Sequence, residues 1–176
     1  MKIISILSLL CLFLSCQDSK KENTDKNISI NDYEQSQILG EPIIISIAEG
    51  NNLIYKIESD TLVDSDGDIL LFGGVNVKVF ENNLVTNNIY SNNAIVFNKS
   101  DSMSANGNVK IVSSRNGYIL YTDTIMLYNQ TKLVKADNEV LFINDEDSLK
   151  GIGFWSDFDM ENWRIEKPIG SIIKGE

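Results

Sequence analysis

The chain has 176 residues, with 15 Lys and Arg against 25 Asp and Glu, a formal net charge of −10, and no histidine. That balance excludes the concentrated basic surface that nucleic-acid phosphates require. With only Cys11 and Cys16 the chain also lacks the parts of a His-based triad, a zinc site or a disulfide framework, so neither a cofactor nor a metal is expected. Apolar residues make up 43% and charged residues 23%, a folding composition whose length gives one domain as the default.

Residues 1–15 read as a lipoprotein signal peptide. Lys2 precedes an apolar run from Ile3 to Leu14, broken by Ser5, Ser8 and Cys11. As a helix this run spans about 18 Å, short of the about 30 Å of a hydrocarbon core, so a signal fits better than a membrane span. Phe13-Leu14-Ser15-Cys16, followed at once by the polar Gln17, Asp18, Ser19, Lys20 and Lys21, looks like a bacterial lipobox with Phe13 in place of the usual leucine. Cys16 is therefore the expected lipid attachment and the link to a membrane. The alternative is a plain secretory signal with an incidental cysteine. Residues 16–41 are then the lipidated cysteine and a polar tether, and residues 42–176 the folded domain.

The domain reads as all-β. It draws on 24 Ile and 10 Val against 4 Ala, and β-branched side chains favour the pleated surface of a sheet over a helix. Apolar blocks of four to eight residues alternate with punctuation from residue 43 onward. In Val75-Asn76-Val77-Lys78-Val79 the valines share one face, and Val109 and Ile111 do the same around Lys110. Asn51-Asn52, Asn82-Asn83, Asn92-Asn93 and Asn116-Gly117 read as turns, because Asn and Gly tolerate positive φ. Asp64-Ser65-Asp66-Gly67-Asp68 has the wrong glycine position and no closing glutamate for a calcium loop, and reads as a tight acidic turn. At ten to twelve residues per strand and turn, roughly a dozen or more strands fit after Pro42.

A longer period is superposed on these blocks. Gly74-Val75-Asn76-Val77, Asn108-Val109-Lys110-Ile111 and Glu139-Val140-Leu141-Phe142 begin 34 and 31 residues apart. Each is followed by an apolar-small-polar step, at Leu84-Val85-Thr86-Asn87, Leu120-Tyr121-Thr122-Asp123 and Leu149-Lys150-Gly151-Ile152. Such a repeat stacks copies of one supersecondary unit and buries a continuous seam. Farther on, Asp157, Asp159 and Glu161 would share one face of a strand. Read as glycoside chemistry they would be a carboxylate pair, but solvent exposure is the simpler account. Pro168, just before Ile169, suits an edge strand.

The segments 107–111, 116–123, 136–140 and 149–159, with weaker support at 55–59 and 71–75, together resemble the LptC family, the periplasmic component of lipopolysaccharide export, in a lipoprotein-anchored form. The resemblance implies an elongated, twisted, open β-jellyroll of stacked antiparallel strands (OstA/LptA-like) that holds lipopolysaccharide acyl chains inside. It also implies partners, namely the inner-membrane ABC transporter permease subunits and a periplasmic LptA-like jellyroll reached by edge-to-edge strand pairing. Inner-membrane placement rests on that resemblance, since Gln17 stands where an aspartate is commonly associated with retention there. The candidates for groove lining are Val75, Val77, Val109, Ile111, Ile125, Leu127, Val140 and Phe142. At any single position the alternative is ordinary core between two layers. Ile169, Ile172 and Ile173 are the candidate partner edge. Lys78, Lys110 and Lys132 could meet lipid phosphates at a rim, although scattered lysines are more often solvated. The function expected is non-enzymatic lipid transfer. The rivals are a related bridge or outer-membrane jellyroll lipoprotein and, less favoured, a carboxylate-dependent glycan hydrolase.

Overall fold

The computed structural model describes residues 41–144 and 147–173. Ten strands follow one another: β1 (Ile43–Glu49), β2 (Asn52–Ser59), β3 (Thr61–Ser65), β4 (Asp68–Glu81), β5 (Leu84–Phe97), β6 (Ser102–Ser113), β7 (Ile119–Tyr128), β8 (Leu133–Ile143), β9 (Asp147–Asp157) and β10 (Trp163–Ile173). They form one antiparallel sheet in the order β1-β2-β4-β5-β6-β7-β8-β9-β10. β2 and β3 lie end to end on the same side of β4, β2 opposite residues 76–79 and β3 opposite residues 68–72.

The strands bend partway along. Pairing slips between Phe72 and Val75, Tyr90 and Asn93, Asn106 and Val109, Thr122 and Met126, and Ala136 and Glu139. A bulge adds local twist and a bend without ending the strand, and here the bulges line up from strand to strand into one crease. Gly73 on that line has a φ of +85°, and a Cβ there would stand 2.6 Å from Cβ of Asp60, the residue at which β2 gives way to β3. Leaf one holds β1, β2 and residues 75–81, 84–91, 109–113, 119–122, 139–143 and 147–152. Leaf two holds β3 and residues 68–72, 93–97, 102–106, 126–128, 133–136 and 154–157.

Buried side chains of both leaves meet between them. The Phe142 ring of leaf one lies 5.5 Å from Phe154 of leaf two and 4.4 Å from Trp163 at the start of β10. Ile57, Val77, Ile89 and Ile111 from leaf one, and Leu71, Ala105 and Leu127 from leaf two, belong to the same buried cluster. Alternation explains the sidedness: β4 buries Ile69 and Leu71 before its bulge and Val75, Val77 and Val79 after it, so the bulge keeps the apolar set facing inward through the bend.

Two expectations are corrected here. Asn92-Asn93 is not a turn but lies inside β5, at its bulge. The described residues hold ten strands rather than a dozen, because blocks such as 69–72 and 75–80 are two halves of one 14-residue strand. True turns occur at Asn82-Asn83, with φ of 50° and 62°, and at Asp66-Gly67, with φ of 54° and 89°. In the second, Asp64 Oδ1 accepts a hydrogen bond from Gly67 N at 3.2 Å.

Gly151 meets a closer limit than Gly73, because a Cβ there would come within 2.3 Å of Ile165 Cγ2 and 2.7 Å of the Lys167 carbonyl oxygen, while one on Gly170 meets nothing within 4 Å. Gly151→Ala is expected to cost about 1–3 kcal/mol by overpacking, and Gly170→Ala to stay within about 0.5 kcal/mol, both read by urea denaturation. Equal effects would disprove the close approach of β9 and β10.

Candidate functional site

The sequence repeat and the crease are one feature. Val75 and Val109 open the leaf-one halves of β4 and β6 immediately after a bulge, and Val140 stands one residue past the bulge of β8. Val77, Ile111 and Phe142 follow two residues later on the same face. Ile125 and Leu127 reach the same space from β7. All eight are no more than 3% exposed and belong to one cluster, so the structure brings the candidate lining set together. In the structure the space is filled by the side chains themselves. The Phe142 ring, for example, also packs edge-on against Tyr118 at 5.5 Å.

The other candidates fall elsewhere. Ile169 is 60% exposed on β10, the strand that ends the sheet, and Ile172 and Ile173 continue that strand in register with Ser148 and Asp147. Lys110 lies on the outer face, its Nζ 5.7 Å from the Tyr121 ring centroid. Lys78, beside the buried Val77 and Val79, faces the same way. Cys16 lies outside the described residues. Among the described residues no group of three His, Cys, Asp or Glu converges as metal ligands. A hollow of about 410 Å³ opens on the outer surface around Asn108, Thr122, Glu139 and Lys150. It lies behind the bulges rather than between the leaves, and the Lys150–Glu139 ion pair at 3.4 Å stands at it.

Sequence reasoning missed the segment that closes the gap between the leaves opposite the crease. Asp157, Asp159 and Glu161 do not share a strand face, because β9 ends at Asp157 and residues 158–162 turn. Asp157 organises the turn: its Oδ1 accepts from the backbone N–H groups of Glu161 at 3.0 Å and Asn162 at 3.2 Å. The turn forms a strap from leaf two to leaf one. Asn87 Nδ2 donates to the Phe158 carbonyl, Ser113 Oγ to that of Asp159 at 3.3 Å and Asn116 Nδ2 to that of Met160 at 3.3 Å. Arg115 Nη1 pairs with Asp159 at 2.7 Å and Glu161 at 2.8 Å. Phe158 and Met160 insert their side chains and are 2% and 0% exposed. The signal was present in Asp157-Phe158-Asp159-Met160-Glu161, where apolar residues alternate with the acids. Attention to the carboxylates hid the two anchors between them.

The ion pair does not dominate the electrostatics of the strap. Burial, then the charge of Asp157 and more weakly that of Glu161, push the Asp159 carboxyl above the usual carboxylate range despite the pull of Arg115. Arg115 is half-exposed and shared between two acids, so its field is screened.

Comparison with known proteins follows from this geometry. The family model described as Lipopolysaccharide-assembly, LptC-related matches residues 3–166. No curated protein matches the chain. Among solved structures, the crystal structure of LptH, the LptA-homologous periplasmic component of the lipopolysaccharide transport device from Pseudomonas aeruginosa, is similar. The TM-score is 0.54 at 13% identity, over 69% of this chain and 88% of that one. At that identity the likeness speaks for the jellyroll fold alone.

The raised Asp159 value has a definite sign. The folded chain holds this proton more readily than the unfolded chain, so its contribution to stability is present at low pH and lost as pH rises through and above the ordinary carboxylate range. Asp159→Asn is expected to raise the melting temperature at pH 7, with the gain disappearing at pH 3. A lower melting temperature at pH 7 would mean that the Arg115 pair outweighs burial.

Proposed function

The chain belongs to the LptC-related family of lipopolysaccharide-assembly proteins, and from that premise we propose that it is a non-enzymatic, lipid-anchored carrier of lipopolysaccharide in the cell envelope. It takes acyl chains between its two leaves and passes the lipid from the inner-membrane ABC transporter to a periplasmic LptA-like jellyroll. The observation that carries this reading is the single folded sheet whose aligned bulges turn Val75, Val77, Val109, Ile111, Ile125, Leu127, Val140 and Phe142 toward one apolar interior. Acyl chains entering such a space gain about 0.8 kcal/mol for each buried CH₂, so affinity needs no charged site. Among the described residues the sheet is open, with β1 and β3 at one end and β10 at the other. The outer backbone groups of such end strands suit strand addition by a neighbouring sheet, and in this reading the partner edge is β10, at Ile169, Ile172 and Ile173.

Lipidation at Cys16 supplies the membrane link in this reading and puts the protein on the periplasmic face of the inner membrane. A hydrolase finds little support, since Asp157 is committed to its own turn and Asp159 and Glu161 to Arg115.

Photo-crosslinking in living cells tests the reading. A crosslinking amino acid at Val109, Ile111 or Phe142 is expected to capture lipopolysaccharide, and one at the outward Lys110 is not. Failure of all three, with folded and membrane-bound protein, would overturn it and leave the interior as plain core.

A further inference from the structure

The space between the leaves has two kinds of boundary. Along the crease it is sealed by continuous backbone, and within each leaf by the hydrogen-bonded ladder. Opposite the crease, among the described residues, the leaves are joined through side chains and the 157–162 strap, whose links are the carbonyl contacts of Asn87, Ser113 and Asn116, the Arg115 pairs and the inserted Phe158 and Met160. Water can replace most of the polar links, so this boundary opens far more cheaply than a ladder does.

Beside the strap a cavity of about 100 Å³ remains, lined by Ile47 and Tyr55 of leaf one and by Val96, Asp101 and Met103 of leaf two and its β5–β6 turn. Its volume matches about three water molecules. Tyr55 is 4% exposed, its ring centroid lies 6.1 Å from that of Phe158, and its hydroxyl has no hydrogen-bond partner. Burial, and then the Asp101 charge, push the phenol upward, so it stays protonated and able to donate. Asp101 itself accepts from Asn129 Nδ2 at 3.1 and 3.2 Å. The Tyr55 hydroxyl is thus a buried, unsatisfied donor on a wall that also carries Asn98, Asp101 and Ser102; the other buried side-chain atom without a partner at the strap, Asn87 Oδ1, can only accept.

We propose that the seam at Tyr55 is the port through which an acylated amphiphile enters the interior, with the 157–162 strap as its cover and the Tyr55 hydroxyl as the donor to the ester, amide or hydroxyl oxygen at the head of the chain. This rests on the carrier reading for the identity of the ligand but not for the existence of the port. A chain entering here displaces Phe158 from the Tyr55 ring and meets leaf-one valines and isoleucines beyond it. Its polar linkage stops at the boundary, where Tyr55 offers an unsatisfied donor.

Two measurements separate the parts. In full-length protein carrying Ala105→Cys, an interior leaf-two position 0% exposed, maleimide labelling of that residue is followed by peptide-resolved mass spectrometry. Adding Arg115→Gln is expected to raise the labelling rate about threefold, the shift in a local opening equilibrium that loss of a half-exposed ion pair gives. Lys135→Gln, which breaks the Lys135–Asp137 pair at 2.8 Å elsewhere on the surface, is expected to leave the rate unchanged. Equal rates for parent and Arg115→Gln, with both folded by circular dichroism, would overturn the cover. In the second measurement Tyr55→Phe is expected to lower lipopolysaccharide capture by a crosslinker at Ile111 several-fold, with Ala105→Cys labelling unaltered. Undiminished capture would mean that the hydroxyl holds only a buried water. If the parent captures no lipid, the carrier reading fails and the labelling result still decides the port.

Discussion

The structure depends on one constraint: each long strand must bend at the same level as its neighbours. A sheet of strands of up to 14 residues with a single apolar face would leave that face in water if it stayed open. Aligned bulges fold it so that the face covers itself. The bend is bought with a loss of ladder pairing at each bulge and with backbone angles that glycine and asparagine tolerate, as at Gly73, Gly107 and Asn108. In return the apolar side chains of the buried cluster leave water together, at about 25 cal/mol for each Å² buried, and among the described residues the chain passes from one leaf to the other at the crease.

How much of this could be read from the residues depends on range. The β class, the inward face of Val75, Val77 and Val79, the acidic turn at Asp66-Gly67 and the repeat from Gly74 to Asn108 to Glu139 are local patterns, and local patterns are legible. The bulges were misread because a glycine or asparagine pair looks the same whether the chain reverses there, as at Asn82-Asn83, or only kinks, as at Asn92-Asn93. What decides is whether the flanking blocks pair with each other or with a third strand, and that is not written in either block. The strap was invisible for the same reason. Asp157 to Glu161 acquires its meaning from Asn87, Ser113 and Arg115, which lie 44 to 71 residues earlier in the hydrogen bonds that hold it.

The two sides of the interior differ in what closure costs. The crease side is covalent and laddered, while the opposite side relies on two anchors and a handful of polar links. Asp159 shows how lightly that side is set, since its burial beside Asp157 works against the pair it makes with Arg115. A shell that is firm along one side and lightly fastened along the other can widen without losing its sheet. The proposed carrier role requires that property.

The order of the strands also has a consequence for how the molecule assembles. From β4 to β10 every strand pairs with the one just made, and such nearest-neighbour pairing keeps the sequence separation of contacts small and loop closure inexpensive. A chain emerging from its N-terminal side can therefore lay down hairpin upon hairpin as it appears. The strap belongs to the last hairpin, yet its partners Tyr55 and Asn87 sit in β2 and β5. The earliest hairpins must wait, with their apolar face uncovered on that side, until the final one arrives to fasten it.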